Sequence, residues 1–183
     1  VCDEKNLSDF ATMGSALFKS LFNKDKPKIA LLNVGLEESK GNDVLKKTFL
    51  ILKKNSIKNF EFVGYIEGNH IMDGNVDVII TDGFTGNIAL KTAEGTANFI
   101  TSNLKKSLNK LSIIFSYSSL KKFKDKLDPR KYNGAIFLGL ESPLVKSHGS
   151  TDSIGFAHSI NVCNQIVKAN LIEKIKSNLI TID

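Results

Sequence analysis

The segment Lys146-Ser147-His148-Gly149-Ser150-Thr151-Asp152 gathers a lysine, a histidine and three hydroxyls around one glycine. It follows the apolar run Ala135-Ile136-Phe137-Leu138-Gly139-Leu140 and precedes a long helix-patterned tail. A helix that starts here turns backbone N–H groups and the positive end of its dipole toward the loop. Lys146 and His148 add charge and side-chain donors. Phosphate or a phosphate ester suits that set. A second reading needs no ligand: Thr151 or Asp152 caps the helix, and His148 is a hydrogen-bonded loop side chain. Spacing alone leaves both open.

Two further loops share the design. Asn33-Val34-Gly35 ends an apolar run, and Lys40-Gly41-Asn42 precedes a helix pattern. Asp82-Gly83 ends another, with its helix expected to start near Gly86-Asn87. In open α/β sheets, ligands sit outside the carboxyl ends of the strands. If the strands are parallel, the loops share one edge and can converge. Glycine there lets backbone amides approach a ligand, while Asn, Asp, Lys and His supply contacts. Neither standard nucleotide loop, G-x-x-x-x-G-K-S/T nor G-x-G-x-x-G, occurs. Gly83 and Gly86 also read as a tight strand-to-helix turn. Asp82 is different, because a carboxylate at the end of an apolar strand needs a partner. That partner is either a helix N-terminus or a substrate-site lysine.

The elements that must hold these loops follow from periodicity. Residues 7–22 read as a helix, with Phe10, Met13, Gly14, Leu17 and Leu21 at helical spacing. Residues 28–34 read as a strand buried on both faces, because their apolar residues are nearly continuous. A helix over 43–54, strands over 59–65 and 76–81, and a helix over 88–110 follow. Residues 112–131 are lysine-rich and helix-patterned, interrupted at Asp128-Pro129. A strand over 135–140 and a short one at Leu144-Val145 precede a helix over 151–179, broken near Asn170. Strands alternating with helices imply an α/β fold with a mainly parallel sheet covered on both faces. No repeat or linker divides the chain, so residues 1–183 are expected to form one domain.

Composition bounds the function classes. The 183 residues, 42% hydrophobic and 24% charged, suit one soluble domain with a sizeable core. No apolar run is long enough to cross a bilayer. Cys2 and Cys163 form no motif and are expected to be reduced thiols of an intracellular protein. His70, His148 and His158 lack metal-ligand spacing, so neither metal nor cofactor is expected. The net charge of +6 suits nucleic acid, an anionic membrane or acidic partners, and equally a lysine-rich proteome. Lysines do not alternate with aromatics as in single-strand binders, which argues against nucleic acid. Leu104, Leu108, Leu111, Ile114, Phe115, Leu120, Phe123 and Leu127 form an apolar series with lysines between them. Such a segment lies on an anionic membrane or buries its stripe in a dimer. The chain starts at Val1 without an initiator Met and runs almost at once into helix-like sequence, so a missing beginning is expected.

The motifs also occur in a telling order. They are Phe10-Ala11-Thr12-Met13-Gly14-Ser15, Leu31-Leu32-Asn33-Val34-Gly35-Leu36-Glu37-Glu38 with Lys40-Gly41-Asn42, and Phe62-Val63-Gly64-Tyr65-Ile66-Glu67-Gly68. Asp82-Gly83-Phe84-Thr85-Gly86-Asn87, Leu90-Lys91-Thr92-Ala93-Glu94-Gly95, Tyr132-Asn133-Gly134-Ala135 and Leu138-Gly139-Leu140 follow, before the Lys146 segment. The ordered set resembles the bacterial phosphate acyltransferase family of phospholipid synthesis (PlsX type). No match to that family's Asp-Ala-Met-Gly-Gly-Asp motif is present. The chain therefore resembles the carboxyl-terminal half or somewhat more, with a fold incomplete on its N-terminal side.

The resemblance implies transfer of a fatty acyl group from acyl carrier protein to inorganic phosphate, the acyl phosphate feeding a membrane glycerol-3-phosphate acyltransferase. It implies a homodimer and a three-layer α/β/α sandwich like those of isocitrate dehydrogenase and phosphotransacetylase. It also implies a protruding helical hairpin over 104–131, through which a cytoplasmic enzyme associates peripherally with the membrane. Ile114, Phe115 and Phe123 are its expected membrane or dimer contacts. Phosphate must attack a thioester carbonyl, which needs cations, a means of keeping phosphate nucleophilic and donors for the oxyanion. No protein nucleophile is required. His148, Lys146 and Asp82 are the expected catalytic residues, His148 as general base or acid. Asn33, Gly35, Lys40, Asn42, Gly83, Asn87, Ser147, Gly149 and Ser150 are the expected substrate and phosphate contacts. Two alternatives remain open: a phosphotransacetylase-like enzyme using acyl-coenzyme A, and a basic non-enzymatic binding module.

Overall fold

A computed structural model describes residues 2–22, 24–107, 134–149 and 151–179. The site candidate Ser150 and the part of the expected hairpin beyond Ser107, with Ile114, Phe115 and Phe123, lie outside the described residues. Strand β1 (Lys28–Asn33) is the centre. Successive side chains of a strand point to opposite faces. Ile29 and Leu31 join one apolar cluster, Ala30 and Leu32 another, and all four are buried. The run therefore has no polar alternation. β2 (Glu61–Glu67) and β3 (Val78–Ile80) flank β1 and run parallel to it, in the order β2-β1-β3. Asn33 pairs with Glu67 and Leu31 with Ile80, so the carboxyl ends of the three strands form one edge.

Helices α1 (Glu4–Phe22) and α2 (Asp43–Asn59) cover one face, where Leu7 and Ala11 meet Phe49, Leu52, Ile29 and Leu31. α3 (Gly83–Ser107) lies on the other, where Ala89 packs with Leu32, Ile66 and Ile79. A parallel sheet with helices on both sides is the expected layered α/β/α arrangement. The amino ends of β1 and β3 are tied by Asp77. Its carboxylate accepts from Lys24 Nζ at 2.5 Å and from the Lys28 N–H at 2.7 Å. Partial burial would raise the Asp77 pKa, but these donors hold it below the ordinary value.

The remaining strands do not extend that sheet. β4 (Ala135–Phe137) and β5 (Leu144–Lys146) form a separate antiparallel ribbon. A short turn over 138–143 joins them, and a short turn closes only an antiparallel pair; a parallel pair needs a long crossover. α4 (Ser153–Lys168) and α5 (Leu171–Leu179) follow. They are separated at Asn170, whose φ of 52° is left-handed and tolerated best by Asn among side-chain-bearing residues. The expected break falls there. Ala16 of α1, Ile166 of α4 and Leu171 and Ile175 of α5 form a core with Ile136 and Val145 of the ribbon. α1 is thus buried on two sides, between the sheet and this second layer. No described helix is long and apolar enough to cross a membrane.

Candidate functional site

The loop after β1 is stitched by its own asparagines. Asn33 is buried; its Nδ2 donates to Lys40 O at 3.3 Å and its Oδ1 accepts the Val34 N–H at 2.9 Å. Gly41 has φ +84°, and a Cβ there would lie 2.5 Å from Asn33 Oδ1. Only glycine meets both demands without displacing the Asn33 amide. Gly35 is buried against the side chains of Glu37 and Lys40. Asn42 caps α2, its Oδ1 accepting the Leu45 N–H at 2.9 Å. Asn33 and Asn42 therefore shape the loop, which leaves Lys40 exposed on it.

After β3, Asp82 has found the structural partner. Its Oδ1 accepts the N–H groups of Phe84 and Thr85, each at 2.9 Å, and its Oδ2 accepts the Thr85 hydroxyl at 2.6 Å. This cap starts α3 at Gly83, one turn earlier than the glycine pattern implied. Asn87 consequently sits exposed inside the helix, not at its start. Gly86 lets α3 pass close to the strand end, since a Cβ there would lie 2.7 Å from Thr81 Cγ2. Gly83 is exposed. The Thr85 hydroxyl and N–H, then the Phe84 N–H, hold the Asp82 carboxyl below the usual carboxylate range against a weaker opposing effect of burial. A carboxylate so held is a poor proton acceptor.

The consequence for stability has a definite sign. A group more acidic in the folded chain stabilises it above the group's ordinary pKa and loses that contribution as pH falls toward the depressed value. Asp82→Ala is expected to cost about 1 kcal/mol at pH 7. The gap from wild type should narrow below about pH 4. Urea midpoints at both pH values check this, and a gap that widens on acidification would contradict it.

The third loop leaves β5. Lys146, His148 and Gly149 are exposed, and Ser147 is half-buried. The His148 carbonyl accepts the Thr151 N–H at 3.0 Å, closing a tight turn. Asp152 caps α4, with extended backbone and Oδ1 accepting the Gly155 N–H at 3.0 Å. The capping half of the two-sided reading therefore holds for Asp152. Its carboxylate takes an N–H that an anion would otherwise use. The loops after β1 and β3 leave neighbouring parallel strands and share an edge. The third leaves the ribbon, and the shared-edge argument does not reach it.

The sequence reading assigned no role to several polar groups at the sheet edge. Thr85 completes the Asp82 cap. Glu67 pairs with Asn33 in register. A 3-10 turn (Gly68–His70) follows β2 directly, and His70 Nδ1 lies 2.7 Å from Asp73 Oδ2. The available signal was a histidine and an aspartate three apart just past a strand end. Among the described residues, no group of three His, Cys, Asp or Glu side chains comes together as a metal site.

Comparison with known proteins supplies what geometry alone does not. Residues 1–174 match the model of a family described as fatty acid synthesis protein. The chain belongs to that family. Within it, the chain is similar to proteins named phosphate acyltransferase. That of Pelagibacter ubique (strain HTCC1062) is 60% identical over 183 residues, covering 97% of this chain and 55% of the relative. That of Legionella pneumophila (strain Corby) is 44% identical over 180 residues, covering 96% and 52%. That of Sinorhizobium fredii (strain NBRC 101917 / NGR234) is 43% identical over 182 residues, covering 97% and 52%. The chain spans about half the length of the curated relatives it matches.

Proposed function

We propose that this chain serves a phosphate acyltransferase that moves a fatty acyl group from acyl carrier protein to inorganic phosphate. The observation that carries the reading is 60% identity to the Pelagibacter phosphate acyltransferase across 97% of this chain. Lys146 and His148 hold phosphate and the developing oxyanion. A phosphate oxygen attacks the thioester carbonyl, the tetrahedral intermediate expels the carrier's thiolate, and His148 moves the accompanying proton. Asp82, Asn33 and Asn42 act at one remove, by fixing helix starts and loop shape. The enzyme works as a cytoplasmic homodimer, and its acyl phosphate is consumed by a membrane acyltransferase using glycerol 3-phosphate. Incubating the protein with long-chain acyl carrier protein and phosphate is expected to yield acyl phosphate, trapped as a hydroxamate, with less from acyl-coenzyme A. Equal or better use of the coenzyme A thioester would move the reading to the phosphotransacetylase class. Chelator is expected to leave the rate unchanged.

The same reading includes peripheral attachment to anionic membrane through residues 104–127. The support is the sequence pattern, in which Lys121, Lys122 and Lys124 stand among Leu120, Phe123 and Leu127. Each lysine near such a surface contributes roughly 1 kcal/mol, screened over about 10 Å at 0.1 M salt. Replacing Lys121, Lys122 and Lys124 by Gln should weaken vesicle flotation chiefly at low salt. Replacing Ile114 and Phe115 by Ser should weaken it at every salt level. Dissociation of the dimer by the Ser variant, with the Gln variant floating like wild type, would assign the stripe to the dimer instead.

A further inference from the structure

α2 presents to solvent a face that the reaction as described leaves unused. Its apolar side is turned inward: Phe49 and Leu52 are buried in the core shared with α1 and the sheet, and Val44 and Leu45 pack against that core. On the opposite side stand Lys46, Lys47, Leu50, Lys53 and Lys54. At about 100° per residue, these five fall within an arc of about 120°. Lys47, Lys53 and Lys54 are exposed, Lys46 is half-buried, and Leu50 is 63% exposed among them. The four lysines span about 12 Å of the helix axis.

Few acids offset this charge. Asp43 lies on the same arc, in the first turn, where the helix dipole favours a carboxylate. Glu4 of α1 reaches Lys47 at 3.7 Å, and Glu38 of the loop after β1 reaches Lys53 at 3.0 Å. Both pairs are exposed, and ion pairs of that kind contribute little and exchange readily for other carboxylates. Lys46 and Lys54 have no carboxylate within ion-pair distance among the described residues. Burying four ammonium groups against apolar surface is costly. That keeps the face in water until it meets a partner that brings carboxylates.

We propose that this face of α2 receives the protein carrier of the acyl group, with acidic side chains of the carrier set against the four lysines and an apolar one against Leu50. The proposal rests on the reading that the acyl group arrives on a carrier protein, and it adds the surface that binds it. Charge complementarity selects an acidic protein. Leu50 selects against nucleic acid, whose phosphates would leave it uncovered, and a single leucine is a shallow anchor for a bilayer. Position supports the same partner. α2 begins at Asp43, directly after the loop that carries Lys40, and that loop leaves the carboxyl edge of the sheet. A carrier held on α2 brings its tethered thioester to the edge where ligands of such sheets sit.

The test separates docking from chemistry. Rates are measured with a long-chain acyl carrier protein and with the matching acyl-coenzyme A, which has no protein to dock. Unacylated carrier is titrated into the same variants, so that binding is read without turnover. Lys46→Glu combined with Lys54→Glu is expected to raise KM for the carrier thioester, and Kd for the unacylated carrier, on the order of tenfold at about 0.05 M salt. The effect should shrink at about 0.5 M salt, where surface charge is screened. Both kcat and the rate with acyl-coenzyme A should stay unchanged, which also shows that the variant is folded. Leu50→Ser should weaken the carrier about threefold at both salt levels. Wild-type carrier affinity in the Glu variant overturns the docking and leaves the reaction intact. An equal loss with acyl-coenzyme A makes the lysines part of the active site or the fold and also overturns it. Weaker flotation on anionic vesicles, or altered sedimentation, with wild-type carrier affinity assigns the face to a membrane or a second copy and overturns it as well. Carrier binding that depends on these lysines, in a wild type that forms no acyl phosphate, supports the docking and sinks the proposed reaction.

Discussion

Lys146→Ala and His148→Ala are each expected to lower turnover about 10²–10³-fold, the usual cost of losing a donor to a developing oxyanion. Folding should change by roughly 0.5 kcal/mol or less, because both side chains are exposed on a loop. The separation of the two effects is what gives the prediction content. Asp152 caps α4 from within the chain. Asp82 gives the contrasting pattern: its carboxylate is committed to the α3 backbone, and its loss should register in stability first. Rates per folded molecule, set beside melting temperatures, decide the matter. Early melting with full specific activity would make Lys146 and His148 structural and move the site elsewhere.

Gly41→Ala is expected to destabilise the chain by roughly 3 kcal/mol. Left-handed backbone costs a side-chain-bearing residue about 1–2 kcal/mol. The new Cβ would also lie 2.5 Å from Asn33 Oδ1. The Asn33 amide must then move, giving up its bonds to Lys40 O and the Val34 N–H, at about 0.5–1.5 kcal/mol each. Gly74 provides the control. Its φ of +73° is also left-handed, but nothing lies within 4 Å of a Cβ built there. Gly74→Ala should therefore cost only the backbone part, about 1–2 kcal/mol. Urea midpoints of the two variants give the difference directly. Equal losses would mean that the Asn33 contact contributes nothing and that the loop tolerates rearrangement.

The features legible in the linear chain were those decided by near neighbours. The unbroken apolar run around Leu31 announced a strand covered on both faces, because burial on two sides removes polar alternation. The helix start at Asp43 and the break at Asn170 were readable, and the start after Asp152 to within two residues, because caps and left-handed turns involve residues a few positions apart. The ordered motifs pointed to the family that comparison then established. The sequence leaves both partners for Asp82 open. A carboxylate does not reveal from its position whether its donors come from its own helix or from a ligand. The start of α3 was placed one turn late for the same reason.

The tertiary structure decided what depends on contacts far apart in the chain. β4 read as one more strand among parallel ones, yet it pairs with β5. Its apolar pattern describes which faces are buried and says nothing of which neighbour supplies the hydrogen bonds. That choice parts the Lys146 loop from the shared edge of Asn33 and Asp82. It also turns Phe137, Leu144 and Lys146 onto one face. The burial of α1 on two sides arises likewise, because the second layer closes over Ala16 from residues about 150 positions later. Local spacing determined which side chains this protein has at its loop ends; only long-range packing determined which of them stand together.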